Sequence, residues 1–223
     1  MNLLLFGATG MVGTEALHAA LDELRVTRVV AVVRRPTGVR HAKLLEVQHT
    51  DFTDFEPLRP HLQAADACLY CLGVYQGAVS TAEFWVVTCE YLAALIASLE
   101  RTRPQIRFCL FSAQGADPTE RRPILFAKAK GRAERQLTQS ALKDHHIFRP
   151  GYIHPGRIAS RTRIPAWLVS PLFRLVPAIG VEAVALARVM LQVAIAGGER
   201  RVYSNADIRR AAGAAGSAGP ESL

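Results

Sequence analysis

The sequence predicts a three-layer α/β fold in which helices cover both faces of a doubly wound parallel sheet. Three observations support this prediction: apolar runs with no polar face, helical segments between them, and a glycine-rich turn directly after the first run. The chain has 223 residues, a length that one such domain commonly fills. We expect a single domain over residues 1–210 and a flexible tail over residues 211–223, where alanine, glycine and serine dominate.

The first part of the chain alternates apolar runs with helical patterns. Residues 3–6 form a short apolar run, and residues 11–24 then carry apolar side chains at helical spacing. Residues 29–33 are an unbroken, valine-rich run, which is typical of a parallel strand covered on both faces. A weaker strand over residues 44–49 and a short helix over residues 54–62 continue the pattern.

The same alternation continues through the middle of the chain. An apolar strand is predicted over residues 67–72. A long helix over residues 81–101 has two apolar faces, so we expect it to be covered on both sides or to form a dimer contact. Residues 106–111 predict a fifth strand, residues 124–142 a helix, and residues 147–148 a sixth strand that an Arg-Pro-Gly sequence ends. Six strands that alternate with helices imply the doubly wound sheet.

The C-terminal third departs from this alternation because prolines interrupt it. We expect a small substrate-binding lobe over about residues 151–205. Within it, residues 163–177 are apolar with interspersed basic residues, which predicts either a wall of the substrate pocket or a helix on a membrane surface. The internal prolines favour the pocket wall. Residues 181–196 then show a regular apolar helix pattern.

Composition and charge limit the classes of function. The formal net charge is +8, but the arginines are scattered and no block of five basic residues occurs, so we expect no nucleic-acid partner. No apolar run is long enough to predict a membrane span. The four cysteines do not suggest a disulfide framework and, without a basic leader, favour a cytoplasmic location. Cys68 and Cys71 are predicted to be buried structural thiols on opposite faces of one strand, not a redox or metal pair.

A glycine-rich loop follows the first predicted strand and begins the first predicted helix. Glycines at this point let the backbone approach a pyrophosphate, whose charge the free amides and the dipole of the helix stabilise. The spacing is Gly-x-x-Gly-x-x-Gly rather than the Gly-x-Gly-x-x-Gly of the dinucleotide fingerprint, so an ordinary glycine-rich turn is the alternative. The position directly after a strand favours a Rossmann-type phosphate loop. Its predicted cofactor-binding residues are Gly7, Ala8, Thr9, Gly10, Met11, Val12 and Gly13.

Two further segments follow predicted strands. Arg34 and Arg35 come after the second strand, where an acidic residue would bind a ribose 2′-hydroxyl and an arginine pairs with a 2′-phosphate. No carboxylate lies near this strand end in the sequence, which predicts NADP(H) rather than NAD(H), with solvated arginines as the alternative. Asp51 and Phe52 follow the third strand, where an acid and a ring are expected to bracket adenine. A capping aspartate is the alternative.

Seven segments taken together resemble a known family. In chain order they are the glycine loop and residues 33–35, 51–52, 71–73, 111–117, 130–134 and 148–151. Over about residues 1–200, the chain resembles the atypical short-chain dehydrogenases/reductases, most closely the Tat-interacting-protein-like group and more distantly the NmrA-like regulators. The resemblance implies a Rossmann fold with a nicotinamide cofactor, and it adds Leu72 and Gly73 to the predicted cofactor contacts.

The resemblance also implies catalytic residues. The family has a serine after the fifth strand and a Tyr-x-x-x-Lys pair in the next helix, and Ser112 and Lys130 take the serine and lysine positions. Ser112 would then hydrogen-bond a substrate carbonyl, while Lys130 would hold the nicotinamide ribose and lower the pKa of the phenol. The tyrosine position holds Phe126, which has no proton to donate. Candidate substitute donors, or alternatively polar residues of a pocket wall or surface, are Tyr75, Tyr152 and His154.

Two functions are compatible with these residues. The first is an NADP(H)-dependent oxidoreductase that reduces a small apolar carbonyl or alkene held near Ser112. The second is a non-catalytic NADP(H)-binding redox sensor or regulatory protein, which Phe126 favours. A homodimer or a different protein partner is compatible with both hypotheses. The fold alone does not indicate the substrate.

Overall fold

A computed structural model describes residues 1–155 and 180–217 of the chain. The strands in chain order are β1 (Asn2–Phe6), β2 (Arg28–Val33), β3 (Leu44–Gln48), β4 (Ala67–Tyr70), β5 (Arg107–Phe111), β6 (His145–Arg149), β7 (Tyr152–His154), β8 (Gly180–Glu182) and β9 (Val202–Ser204). The helices are α1 (Met11–Asp22), α2 (Arg59–Ala64), α3 (Thr81–Trp85), α4 (Tyr91–Thr102), α5 (Leu125–Gln139), α6 (Ala183–Ala196) and α7 (Asn205–Ser217). A 3-10 turn (Glu56–Leu58) precedes α2, and a π-helical turn (Val86–Glu90) joins α3 to α4.

The main sheet contains seven parallel strands in the order β3-β2-β1-β4-β5-β6-β9. The strand order reverses between β1 and β4, so the carboxyl ends of these two strands flank the crevice in which doubly wound folds bind ligands. A separate two-stranded sheet pairs β7 with β8. The predicted Rossmann-type, doubly wound α/β fold is confirmed.

Both faces of the sheet are buried because its strands are apolar at successive positions. Leu3 and Leu5 contribute to the core on the side of α1 and α6, whereas Leu4 and Phe6 contribute to the core on the side of α2, α4 and α5. The thiols in and directly after β4 also lie on opposite sides of the sheet. Cys68 packs in the core beside α2, α4 and α5, and Cys71 packs in the core beside α1 and α6. The prediction that these thiols lie on opposite faces is confirmed.

The long helical segment between β4 and β5 is the single described helix that is long and apolar enough to cross a membrane by length and composition alone. In the structure it packs in the core on the α2 and α5 side of the sheet. Leu92, Leu95, Ile96 and Leu99 are all buried there. The expectation that the helix is covered is confirmed for these residues, whereas Trp85 and Tyr91 are half-buried.

The C-terminal region contributes more to the main domain than the sequence indicated. Helix α6 packs on α1, and β9 extends the sheet beside β6, so residues 183–204 belong to the Rossmann layers rather than to a separate lobe. Strand β9 escaped prediction because it has three residues and one buried side chain. Helix α7 includes residues 211–217, which the sequence analysis assigned to a flexible tail. Its alanines favour a helix. The predicted pocket wall over residues 163–177 lies outside the described residues.

Candidate functional site

The glycine loop lies at the point where the strand order reverses. Gly7 has a φ of 80°, and a Cβ on this residue would lie 2.5 Å from the carbonyl oxygen of Cys71 after β4. A Cβ on Gly13 would lie 2.0 Å from the carbonyl oxygen of Gly7. Both positions require glycine, because a side chain would push the loop away from β4 or from the first turn of α1.

The loop presents backbone amides at the start of α1. The helix begins at Met11, and its N-cap, Gly10, has no side chain to satisfy the first amides. Thr9 and Gly10 are exposed, whereas Ala8 and Val12 are buried in the core. An anion here would meet backbone donors and the positive end of the helix dipole. This cradle fits the pyrophosphate of a dinucleotide.

Arg34 and Arg35 directly follow β2, which pairs with β1, and both are exposed. Within residues 1–155 and 180–217, no carboxylate forms an ion pair with either guanidinium. Glu46, on neighbouring β3, instead accepts hydrogen bonds from the amide of Thr37, at 2.8 Å, and from its hydroxyl. Both arginines therefore remain free to bind an anionic group at this edge of the sheet.

Asp51 and Phe52 have structural partners. The Asp51 carboxylate accepts hydrogen bonds from the hydroxyl of Thr53 at 2.5 Å and from its amide at 2.9 Å, and these bonds hold the pKa of Asp51 below its ordinary value. The Phe52 ring is 2% exposed and stacks on Tyr91 at a centroid distance of 5.4 Å. These bonds form a local turn and do not cap the 3-10 helix, which begins at Glu56. The Phe52 ring faces the core, a position that does not support contact with adenine.

Leu72 and Gly73 follow β4 and lie next to the glycine loop. The amide nitrogen of Leu72 is 2.7 Å from the point where a Cβ on Gly7 would lie. Leu72 packs against the core, whereas a Cβ on Gly73 would meet no atom within 4 Å. The structure therefore brings this segment and the loop together, with space beside Gly73.

Ser112 follows β5 and is 2% exposed. Its hydroxyl donates a hydrogen bond to Oε1 of Glu134 on α5 at 2.5 Å. Arg149, at the end of β6, donates from Nε to the two carboxylate oxygens of Glu134 at 2.9 and 3.1 Å, and one of its terminal nitrogens also pairs with Oε2. A hydroxyl has one proton, so the implied donation from Ser112 to a substrate carbonyl requires the bond to Glu134 to break first.

Neither Glu134 nor Arg149 was predicted to have a role, although both lie in the segments that carry the family resemblance. Glu134 is 1% exposed, and a carboxylate buried to this extent needs ionic or hydrogen-bond partners. The available signal was its position four residues after Lys130, on the same side of the helix. That spacing indicated a shared environment but not its partners on β5 and β6.

Lys130 is half-buried on α5, and its Nζ lies 5.7 Å from the centroid of the Phe111 ring. Within the described ranges, Nζ makes no hydrogen bond. Burial lowers the pKa of Lys130, and the negative charge of Glu134 opposes this shift. The next residue, Gly131, allows α5 to approach the loop after β5, because a Cβ there would lie 1.9 Å from the carbonyl oxygen of Asp117.

The tyrosine position of the family pattern holds Phe126, which packs against another aromatic ring. The Phe126 ring stacks on Phe84 at a centroid distance of 6.3 Å. Of the candidate donors, Tyr75 is 47% exposed, and Tyr152 and His154 lie in strand β7 with their ring centroids 5.1 Å apart. None of these three residues lines the cavity that contains Ser112 and Lys130.

That cavity has a volume of about 10 Å³ and lies between β4, β5 and the helices on one face of the sheet. Its polar lining groups are Tyr70, Thr88, Ser112 and Lys130. Tyr70 was predicted only as part of an apolar strand, and no role was predicted for Thr88. Neither position carries a sequence signal that distinguishes it from ordinary core residues.

Comparison with known proteins supports the resemblance. A family model described as NAD(P)H-binding matches residues 7–166. Protein HTATIP2 of Rattus norvegicus is 25% identical to this chain over 197 residues, which cover 85% of this chain and 79% of that protein. The predicted similarity to the Tat-interacting-protein-like group is thereby confirmed.

Solved structures share the fold at lower identity. The oxidoreductase ylbE from Lactococcus lactis superimposes with a TM-score of 0.68 and 16% identity, with 100% of both chains covered. The Bordetella bronchiseptica enzyme WbmH, solved in complex with NAD+, has a TM-score of 0.68 and 17% identity, with 91% of this chain and 75% of that chain covered. At these identities the likeness concerns the fold.

Proposed function

We propose that this chain, which belongs to the NAD(P)H-binding family, binds NADP(H) with its pyrophosphate at the β1–α1 loop and its 2′-phosphate at Arg34 and Arg35. The observation that carries the proposal is the combination of a loop that excludes side chains at Gly7 and Gly13 with two exposed guanidinium groups that have no described carboxylate partner. Arginine suits this role because its planar group donates two parallel hydrogen bonds to a phosphate.

Titration of the purified chain with NADPH and NADH tests the cofactor preference. Each charge-assisted contact contributes about 1.5–3 kcal/mol, so we expect NADPH to bind at least about tenfold more tightly than NADH. The double variant Arg34→Ala/Arg35→Ala should lose this preference while NADH affinity stays unchanged. Arg40→Ala, which removes another exposed arginine from the following loop, is the matched control. Equal affinities for both cofactors in the wild type would contradict the proposal.

We also propose that the protein is an oxidoreductase acting on a small apolar carbonyl or alkene. When bound, the nicotinamide supplies the hydride. Lys130 would hold the nicotinamide ribose with its ammonium group and place positive charge near the oxygen that gains negative charge. Ser112, whose proton is donated to Glu134, would accept hydrogen bonds and position α5 against β5.

NADPH consumption with a panel of aldehydes, ketones and conjugated alkenes tests the reaction. We expect turnover above the buffer rate with at least one class, and Lys130→Met should abolish it. Lys128→Met changes a lysine on the same helix that does not line the cavity, and it should retain activity. Tight NADPH binding without turnover across the panel would contradict the oxidoreductase proposal.

A second candidate function is a non-catalytic NADP(H)-binding sensor or regulator, with a protein partner or second copy of the chain as its target. Two observations favour it: Phe126 replaces the family's acid, and Ser112 donates its proton to Glu134. General acid catalysis contributes about 10²–10⁴-fold, so a Phe126→Tyr variant of a silenced enzyme should gain activity in that range. Phe126→Leu is the control for altered packing. A wild type that already turns over rapidly would exclude this candidate.

A cytoplasmic location is the remaining part of the proposal. Cys68, Cys71, Cys89 and Cys109 are buried free thiols, a state that a reducing compartment preserves. Fractionation of the expressing cells, with a periplasmic or organellar marker as control, tests the location.

A further inference from the structure

The segment after β2 is attached to the neighbouring strand β3 at two points. The side-chain amide of Gln48 donates a hydrogen bond to the carbonyl oxygen of Arg34 at 3.3 Å. Three residues further along the chain, the amide of Thr37 donates to Oε1 of Glu46 at 2.8 Å, and the hydroxyl of Thr37 donates to the same oxygen. Arg35 lies between these two points, so the backbone that carries both arginines has a defined position against β3.

The Thr37 hydroxyl is hydrogen-bonded in both directions. Its oxygen accepts a hydrogen bond from the amide of Val39 at 3.1 Å, and Gly38 allows this tight turn because its φ is 81°. An ionised carboxylate can only accept hydrogen bonds, so the proton of the hydroxyl points to Glu46. Thr37 and Glu46 are both half-buried, so water competes less for their bonds than it would on an open surface.

The direction of the Glu46 carboxylate matters because the two arginines are close to it. Arg35 is two residues from Thr37, so their Cα atoms are at most about 7 Å apart, a distance that the long arginine side chain can cover. A guanidinium group pairs with a carboxylate and with a phosphate in the same bidentate geometry. A carboxylate that paired with Arg34 or Arg35 would therefore compete with a phosphate for the same donors.

We propose that Thr37 is a positioning residue that determines cofactor specificity: it holds the Glu46 carboxylate with its amide and hydroxyl, and thereby keeps the guanidinium groups of Arg34 and Arg35 available for the 2′-phosphate of NADP(H). This role rests on the proposed binding of that phosphate at the two arginines. In the part of the chain that the structure describes, neither guanidinium pairs with a carboxylate, as the role requires.

The main test removes only the hydroxyl of Thr37. Thr37→Val keeps nearly the same shape but takes away one of the two hydrogen bonds, so the Glu46 carboxylate can turn to the guanidinium groups. A competing, solvent-exposed ion pair weakens a rival partner by about two- to fivefold, and we expect NADPH affinity to fall by this factor. NADH affinity should stay unchanged because NADH has no 2′-phosphate. A Thr37→Val variant that keeps the full preference for NADPH overturns the proposal.

Two control variants separate this role from a general effect of the substitution. Thr37→Ser keeps the hydroxyl and should keep the preference of the wild type for NADPH. Thr119→Val removes another threonine hydroxyl that donates to a carboxylate, that of Asp117 at 2.6 Å, in the loop after β5. It should not change the ratio of NADPH to NADH affinity. If Thr119→Val lowers this ratio as much as Thr37→Val does, the proposal is wrong.

A double variant shows whether the effect passes through the carboxylate. Glu46→Gln removes the charge, so this side chain cannot form an ion pair with an arginine once Thr37→Val releases it. Thr37→Val/Glu46→Gln should therefore recover the preference for NADPH, and Glu46→Gln alone should retain it. A double variant with as little preference as Thr37→Val would show that the backbone of the segment had moved instead, and this result overturns the proposal.

A crystal structure of Thr37→Val without cofactor tests the same step independently of binding. The Glu46 carboxylate should lie within ion-pair distance of Arg34 or Arg35, and a carboxylate that stays on the amide of the substituted position overturns the proposal. Failure of the proposed function has a different signature. A wild type that binds NADPH and NADH equally refutes the 2′-phosphate site and with it this role, whereas a preference shared by wild type and Thr37→Val refutes the role of Thr37 alone.

Discussion

The hydrogen-bonded group of Ser112, Glu134 and Arg149 makes a strong prediction about stability. Glu134→Gln keeps the size of the side chain but removes its charge and turns one acceptor oxygen into an NH2 donor, which then faces a donor on Ser112 or Arg149. Breaking a fully buried ion pair costs about 3–5 kcal/mol. The Arg149 side chain is 31% exposed, so water can hydrate the guanidinium, and we expect a smaller loss of about 2–3 kcal/mol.

Thermal unfolding monitored by circular dichroism measures this loss. For a chain of this length, about 2–3 kcal/mol corresponds to a decrease in the melting temperature of roughly 4–12 °C. Glu56→Gln is the matched control, because Glu56 also pairs with an arginine but its side chain is 57% exposed. It should melt with the wild type. If Glu134→Gln melts no lower than Glu56→Gln, the buried group does not hold β5, α5 and β6 together as argued.

Two further predictions concern the glycine loop and a buried histidine. Gly13→Ala should weaken NADPH binding by more than about tenfold, because its Cβ would lie 2.0 Å from the Gly7 carbonyl oxygen. The control variant Gly213→Ala, whose Cβ would meet no atom within 4 Å, should bind NADPH normally. Equal NADPH affinities of the two variants would contradict the close packing of the loop. Burial lowers the pKa of His145 below 6.5, so the unfolded chain takes up this proton first as the pH falls. The contribution of His145 to stability should therefore be complete above pH 6.5 and decrease below it. Urea midpoints of His145→Gln should show a weaker decline between pH 7 and 5 than those of the wild type, and parallel declines would refute the assignment.

The strands of the main sheet and most of their helices were predictable because their signals are local. Unbroken apolar runs indicated parallel strands buried on both faces, and the odd spacing of Cys68 and Cys71 placed the thiols in different cores. Strand β9 was missed because three residues carry too little pattern, and its place in the sheet depends on pairing with β6. The alanine-rich start of the predicted tail became part of α7, because low apolar content does not prevent an alanine segment from forming a helix.

The residues of the candidate site also differ in how far the sequence predicted their positions. The placement of the glycine loop after β1 and of the two arginines after β2 was predictable, because it depends only on the order of residues around the end of a strand. The position of the Phe52 ring was not, since a residue after a strand can face either the cleft or the core.

The sequence by itself determined the fold class, the position of the glycine-rich loop and the presence of Phe126 where the family pattern has tyrosine, since each is a property of residue type and local spacing. Only the tertiary structure decided that the Ser112 proton is donated to Glu134 and that Tyr70 and Thr88 share a cavity with Lys130. These residues come from β4, β5, α5 and the turn before α4, and hydrogen-bond partners so far apart in the chain are chosen by packing.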